Sequence, residues 1–275
     1  MTLEAFRYTY TGSGPTGGAM AALPALPGGT WTYAVAMTPD ATQTFGFADS
    51  PGIPNGQLVC WHDGGPIDVL GTPDPTFSLV AANIGGVTAD GSVAALSPAD
   101  GTGAGIAYIH NPSGWFKIQD LLTDAGVDLT GWTLDIVIGI SADGTLLFGS
   151  GQHNGNTEGW VAQLPPGIAR SYGDTAPPSL ALPGNITVEA TGPNGAIVNF
   201  SATATDAVDG PVPVVYSQNP GTTFPLGVAV VTVSATDLAG NKATGTFTVT
   251  VHDTPPPAFL ASRRRRPRSG RLTTR

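Results

Sequence analysis

The stretch at residues 139–151, GISADGTLLFGSG, sets an acidic Ala-Asp-Gly between two apolar runs. Asp143 is there either a ligand or catalyst in a glycine-rich loop, or the turn of a hairpin. GVTADGSVAAL at 86–96 repeats the stretch, and AMTPDATQTFGF at 36–47 is a looser copy, so the aspartates fall at 40, 90 and 143. A second motif travels with them: EAFRY at 4–8, QLVCW at 57–61, GIAYI at 105–109 and EGWVA at 158–162. Two independent markers with one period make an internal repeat of about 50 residues. In that frame Asp143 is a hairpin turn.

Each unit reads as four short strands. The first holds EAFRYTY, a glycine-rich turn, AMAAL, WTYAVAM, the Asp40 turn and TQTFGF. Three units and a lone strand at 158–164 make about thirteen strands. A sheet unit of this kind cannot cover both of its faces alone, so repeats stack, as blades do in a β-propeller. Three units are too few for a typical closed ring, and the expected fold over 3–164 is a partial propeller-like array.

Composition agrees with an all-β chain. Charged residues are 11% of the 275, against roughly 25% in an average soluble domain. The 38 glycines and 25 prolines supply turns. Seven of the eleven basic residues lie in the last thirteen positions, so residues 1–262 carry about −16. That charge disfavours nucleic acid and anionic membranes as partners. The arginine-rich tail, 254–275, is expected to be a disordered, solvated end. Cys60 stands alone, which excludes an intrachain disulfide. No stretch reaches the roughly 18 apolar residues of a membrane helix. MTLEAFRYTY has neither a basic nor an apolar signal region, and with its start directly on a strand the chain reads as an N-terminally incomplete product.

EAFRYT, LPALPGG and GISADGTLLFGSG together resemble the HAF-type repeats of bacterial extracellular proteins. The resemblance covers about residues 3–164. The middle repeat departs most, with QLVCW in place of EAFRY and no Leu-Pro-Gly-Gly element.

PPGIARSYGDTAPP then reads as a linker over 165–178. Beyond it apolar and polar residues alternate strictly. Val198, Phe200, Ala202 and Ala204 form one series, Val231, Val233 and Ala235 another, and Phe247, Val249 and Val251 a third. Period-two alternation means strands with one buried face, and half a dozen of them in about 80 residues fit an immunoglobulin-like sandwich over 179–253.

LPGNITVEATGPNGAIVNFSATATDAVDG followed by TTFPLGVAVVTVSATDLAGNKATGTFTVTV resembles a hyalin-repeat (HYR) domain. The resemblance implies an extracellular, adhesion-like module without catalytic residues. Many members carry two cysteines at the positions of Tyr216 and Val233, so here stability must rest on the apolar core. DTAPP at 174–178 returns as DTPPP at 253–257, where a further such domain would begin in a tandem parent.

Few residues point to chemistry. GSGPTG at 12–17 matches G-x-G-x-x-G, yet prolines at 24 and 27 deny it the helix a dinucleotide needs, and a hairpin turn is the reading. Cys60 and His62 are two apart on a strand and could give two zinc ligands, but a core cysteine beside a surface histidine is preferred. No G-x-S-x-G elbow is present. Trp31, Trp61, Trp115, Trp132 and Trp160 read as repeat-core packing, with sugar stacking as the alternative.

The sharper case is calcium. In an immunoglobulin-like arrangement the loops DAVDG and DLAGN finish at one end, gathering Asp206, Asp209, Asp237 and Asn241, with the linker's Asp174 entering beside them. Clustered carboxylate and amide oxygens suit a hard cation. Neither loop follows D-x-[DN]-x-[DN]-G, and the same residues serve as plain turns, which is the preferred reading.

The expected function is non-enzymatic binding or adhesion, extracellular or at a bacterial surface, toward a surface glycan or protein. A carbohydrate-processing or carbohydrate-binding protein with the sandwich as accessory is the alternative, as is a truncated product with no function of its own.

Overall fold

The computed structural model describes residues 4–10, 18–74, 76–99 and 106–254. The dinucleotide-like GSGPTG, apart from the region flanking it, and the arginine-rich tail lie outside the described residues. The described chain is all-β, with two short helices. It divides into two compact units: Met1–Leu180, Thr203–Val214 and Ser234–Ala243 form the first, and Ala181–Ala202, Val215–Val233 and Thr244–Arg275 the second.

The first unit opens with β1 (Phe6–Tyr10) paired antiparallel with β2 (Gly18–Ala22). A four-stranded sheet follows in chain order: β3 (Thr32–Met37), β4 (Gln43–Ser50), β5 (Ile53–His62) and β6 (Ile67–Gly71). The second sheet repeats the pattern with β7 (Ser78–Val87), β8 (Ala94–Ala99), β9 (Tyr108–Asn111) and β10 (Gly114–Lys117). Helix α1 (Ile118–Asp124) leads to a three-stranded sheet of β11 (Trp132–Ile140), β12 (Leu146–His153) and β13 (Asn156–Gln163), and α2 (Ile168–Ser171) comes next.

Among the described residues thirteen strands run through the repeat region, but the sheets are framed two strands later than the sequence repeat. WTYAVAM pairs with TQTFGF, and TQTFGF with the following QLVCW, whereas the preceding EAFRYTY pairs only with β2. The reason is loop length. Pro51-Gly52 closes β4 onto β5 in a tight turn, with Gly52 at φ +90°. Nine residues, 23–31, separate β2 from β3, so those two are free not to pair. Helix α1 was not foreseen, although Ile118, Leu121 and Leu122 recur at helical spacing and are all buried.

Both faces of the central strands are covered. From β4 and β5, Phe45, Phe47, Leu58 and Cys60 join Leu79, Ala94 and Leu96 in one core, while Ala48, Val59 and Trp61 face another with Leu26. Strand β8 works the same way: Ala94 and Leu96 face the first of these cores, and Val93 and Ala95 join Ile109, Leu121, Val137 and Leu147 in a third. Such strands read as continuous apolar runs because neither face meets water. Successive sheets touch through their first strands. A Cβ on Gly85 of β7 would lie 3.0 Å from the backbone of Val137, Ile138 and Gly139 in β11, so any larger residue would push the two strands apart.

The remaining strands are β14 (Ser179–Ala181), β15 (Ile186–Glu189), β16 (Ala196–Val198), β17 (Thr203–Asp206), β18 (Gly210–Val212), β19 (Val214–Tyr216), β20 (Thr222–Phe224), β21 (Gly227–Thr236) and β22 (Lys242–His252). They form sheets β14-β17-β18, β15-β22-β21-β19 and β16-β20, and build an immunoglobulin-like domain. In the second unit Val198, Ala202, Phe224, Val231, Val233, Phe247, Val249 and Val251 are buried, as the alternation requires. Phe200 stands edge-on to Tyr216, Phe224 and Phe247 at 5.5, 6.0 and 5.0 Å. The Tyr216 hydroxyl accepts the Ala202 N–H at 2.8 Å. Where relatives were expected to place a cysteine pair, this chain has that aromatic contact and the fully buried Val233.

Candidate metal centre

The three repeat aspartates bond their own turns. Asp143 Oδ1 accepts the Ser141 hydroxyl at 2.6 Å, the Thr145 N–H at 3.1 Å and the Thr145 hydroxyl at 2.8 Å. Asp90 is held in the same way by Thr88 and Ser92, and Asp40 by Thr38 and Thr42. The Ser141 hydroxyl and then the Thr145 bonds hold the Asp143 carboxyl down at about 2. The Thr38 hydroxyl, then the Thr42 groups, lower Asp40. Burial works against Asp90, but its bonds from Thr88 and Ser92 carry it below the usual range. These carboxylates are committed to architecture.

Cys60 and His62 have separate surroundings. Cys60 is a core residue whose thiol is pushed up to about 11, by burial first and then by the Asp68 charge. His62 Nε2 meets Asp68 Oδ2 at 2.7 Å instead. The tryptophans pack. Trp61 is buried and donates to Pro24 O, and Trp115 donates to Leu70 O. Trp31 lies against the Phe45 core, Trp132 stacks on His153 at 4.4 Å, and Trp160 is buried in the α1 core.

The acidic loops are different. Asp174 follows α2, and its Oδ1 accepts the Ala176 N–H at 2.9 Å. Asp206 ends β17, and its Oδ1 accepts the N–H groups of Val208 and Asp209 at 2.7 and 2.9 Å. Asp237 follows β21. Its Oδ1 accepts the Asn241 N–H at 2.7 Å, and its Oδ2 accepts the Asn241 side-chain amide at 3.0 Å. That amide also donates to the Asp174 carbonyl at 3.1 Å. Asp209 Oδ2 accepts the Leu238 N–H at 2.8 Å and so ties the two loops together.

Asp174, Asp206 and Asp237 each present a carboxylate oxygen within 4.8 Å of the others. Asp206 is 3% and Asp237 8% exposed. Among the described residues this is the one grouping of three side chains able to hold a metal. Asp209 stands outside the three, and Asn241 braces them. Asp174 Oδ2, Asp206 Oδ2 and Asp209 Oδ1 are buried without any hydrogen-bond partner. Among the described residues no lysine, arginine or histidine pairs with this cluster; Arg170, the nearest in sequence to Asp174, pairs with Asp90 at 3.6 Å. The orphaned oxygens had no signal in the sequence, because burial of one carboxylate oxygen depends on how three separate segments meet.

Residues 173–251 match the HYR domain family. This segment is an HYR domain. Hyalin of Lytechinus variegatus is 43% identical over 91 residues, covering 31% of this chain and 17% of that protein. Hyalin of Strongylocentrotus purpuratus is 42% identical over 96 residues, covering 32% of this chain and 8% of that protein. The chain thus spans less than a fifth of either relative. Among solved structures, putative TolB from Agrobacterium tumefaciens aligns over 84% of this chain and 86% of its own at 16% identity, with a TM-score of 0.24. AofleA from Arthrobotrys oligospora aligns over 87% and 81% at 12% identity, with a TM-score of 0.27. Scores this low assign no fold. The acidic cluster lies within the HYR domain, with Asp174 at its first residues.

Proposed function

We propose that the chain is a non-enzymatic, extracellular adhesion-type binding protein. A propeller-like array of HAF-type repeats over 3–164 leads through a linker at 165–178 to the HYR sandwich at 179–253. The observation that carries the reading is the HYR match, with hyalin relatives above 40% identity across the sandwich. The repeat aspartates and Cys60 support it. The aspartates spend their oxygens on their own turns, and Cys60 is a buried, protonated thiol rather than a nucleophile. A bacterial cell surface is the proposed setting, and a surface glycan or protein the proposed partner.

Beads coated with the full chain test this. They should adhere saturably to surfaces carrying cell-envelope polysaccharide or extracellular matrix protein, and beads coated with heat-unfolded chain should not. Equal retention of folded and unfolded coatings, or no retention on either surface, overturns the reading.

A further inference from the structure

We propose that Asp174, Asp206 and Asp237 form a calcium site that clamps the segment entering the HYR domain to its two acidic loops. The proposal stands apart from the adhesion reading and is tested separately.

Turn formation alone does not account for this cluster. A turn aspartate needs one carboxylate oxygen, and at Asp40 and Asp143 the other is spare at an exposed position where water can solvate it. Asp174 and Asp206 also use one oxygen each for their turns, yet their Oδ2 atoms are buried and bonded to nothing. A buried carboxylate oxygen without a partner is costly, and three carboxylates drawn together without a counter-charge add mutual repulsion. Removing the cost takes positive charge at the point where the oxygens converge.

The donor set selects the ion. All the donors are oxygen, and no cysteine or histidine joins them, which disfavours zinc and other softer metals. Calcium binds oxygens at about 2.3–2.6 Å, so two oxygens on one ion lie at most about 5 Å apart. The three carboxylates already meet that limit at 4.8 Å. Calcium also accepts irregular sets of six to eight oxygens, whereas magnesium demands near-ideal octahedral geometry. Carboxylates from three separate segments, each already committed to its own turn, suit the tolerant ion. The buried Asp209 Oδ1 and the Asp174 carbonyl lie on the same loops and segment.

The consequence is mechanical. Asp174 precedes β14, Asp206 follows β17 and Asp237 follows β21. One ion held by all three couples these segments, and losing it frees each of them.

The test uses the full chain after removal of divalent ions with EDTA. Calorimetric titration with calcium chloride should give saturable heat, and millimolar calcium should raise the melting temperature by several degrees over EDTA. Asp237→Asn and Asp174→Asn keep an oxygen for the turn bond while removing charge. Each should weaken calcium binding at least tenfold, and each should melt in EDTA no lower than the parent chain. If Asp237→Asn does not fold, Asp174→Asn still decides. Absence of heat and of any melting shift in the parent chain overturns the site. So does unchanged affinity in the folded variants, or an equal shift with magnesium at the same concentration.

Discussion

Ser141 donates its hydroxyl to Asp143 Oδ1 at 2.6 Å, and the same bond joins Thr38 to Asp40 and Thr88 to Asp90 at 2.7 Å. In each copy the hydroxyl oxygen also accepts a backbone N–H five residues on: Gln43, Val93 or Leu146. The turn is closed by side chains at both ends. Asp143→Ala should therefore lower the melting temperature by a few degrees and leave any ligand binding at the parent level. A folded Asp143→Ala chain that has lost binding would contradict the assignment.

Acid should loosen these turns. The folded Asp143 carboxyl sits at about 2, below its ordinary 3.8. A depressed carboxyl contributes stability that is complete above the ordinary value and disappears as pH falls through the folded one. Asp40 and Asp90 are lowered in the same direction. Melting temperature should thus fall between about pH 4 and pH 2, and Asp143→Asn should flatten part of that fall. An unchanged profile in the variant would count against the hydrogen bonds.

The residue after each turn aspartate takes the left-handed conformation. Gly91 and Gly144 do so at φ +69° and +71°, but the first copy has Ala41 at φ +60°. A Cβ there costs about 1–2 kcal/mol, offset in part by glycine's freedom in the unfolded chain. Ala41→Gly should stabilise the protein by about 0.5–1 kcal/mol in denaturant titration. The reverse change, Gly144→Ala, should destabilise it, since the new Cβ would also meet Thr88 Cγ2 at 3.3 Å.

Gly85→Ala tests the contact between successive sheets. Its Cβ would press on β11 backbone, which cannot rotate away as a side chain can. A loss of about 1–3 kcal/mol is expected. Gly184→Ala is the matching control: its Cβ has nothing within 4 Å and its φ lies outside the left-handed region, so little change is expected.

Cys60 reports on the integrity of the first core. Its thiol is buried and raised to about 11, so a thiol reagent at pH 8 should label the native chain slowly and the denatured chain at once. Rapid native labelling would place Cys60 at the surface.

Much of the fold is legible because the repeat states it three times. TPDAT, TADGS and SADGT carry a hydroxyl residue on both sides of the aspartate, and that spacing is the whole of the turn chemistry. The strict alternation at 198–204 and 231–251 likewise maps onto burial in the HYR domain. The sheet frame differs from the repeat frame because repeat boundaries in sequence mark similarity, whereas pairing follows loop length, here Pro51-Gly52. Helix α1 has little signal because IQDLLTD is only two turns long inside an otherwise β-rich repeat. Of the acidic site, the five residues were legible as a neighbourhood. Which oxygens are orphaned, and that Asp209 serves as a tie between loops, belongs to the meeting of three segments and has no local trace.

The proposed function has the chain bind a surface partner without turning it over. The most direct measurement is a polysaccharide array run with the full chain, followed by assay of reducing ends and released sugars on the retained ligands over many hours. Saturable retention on at least one envelope polysaccharide or matrix protein spotted on the array is expected, with no new reducing ends anywhere. Time-dependent release that scales with protein concentration, and that vanishes on heat unfolding, would make the chain a carbohydrate-processing enzyme and contradict it.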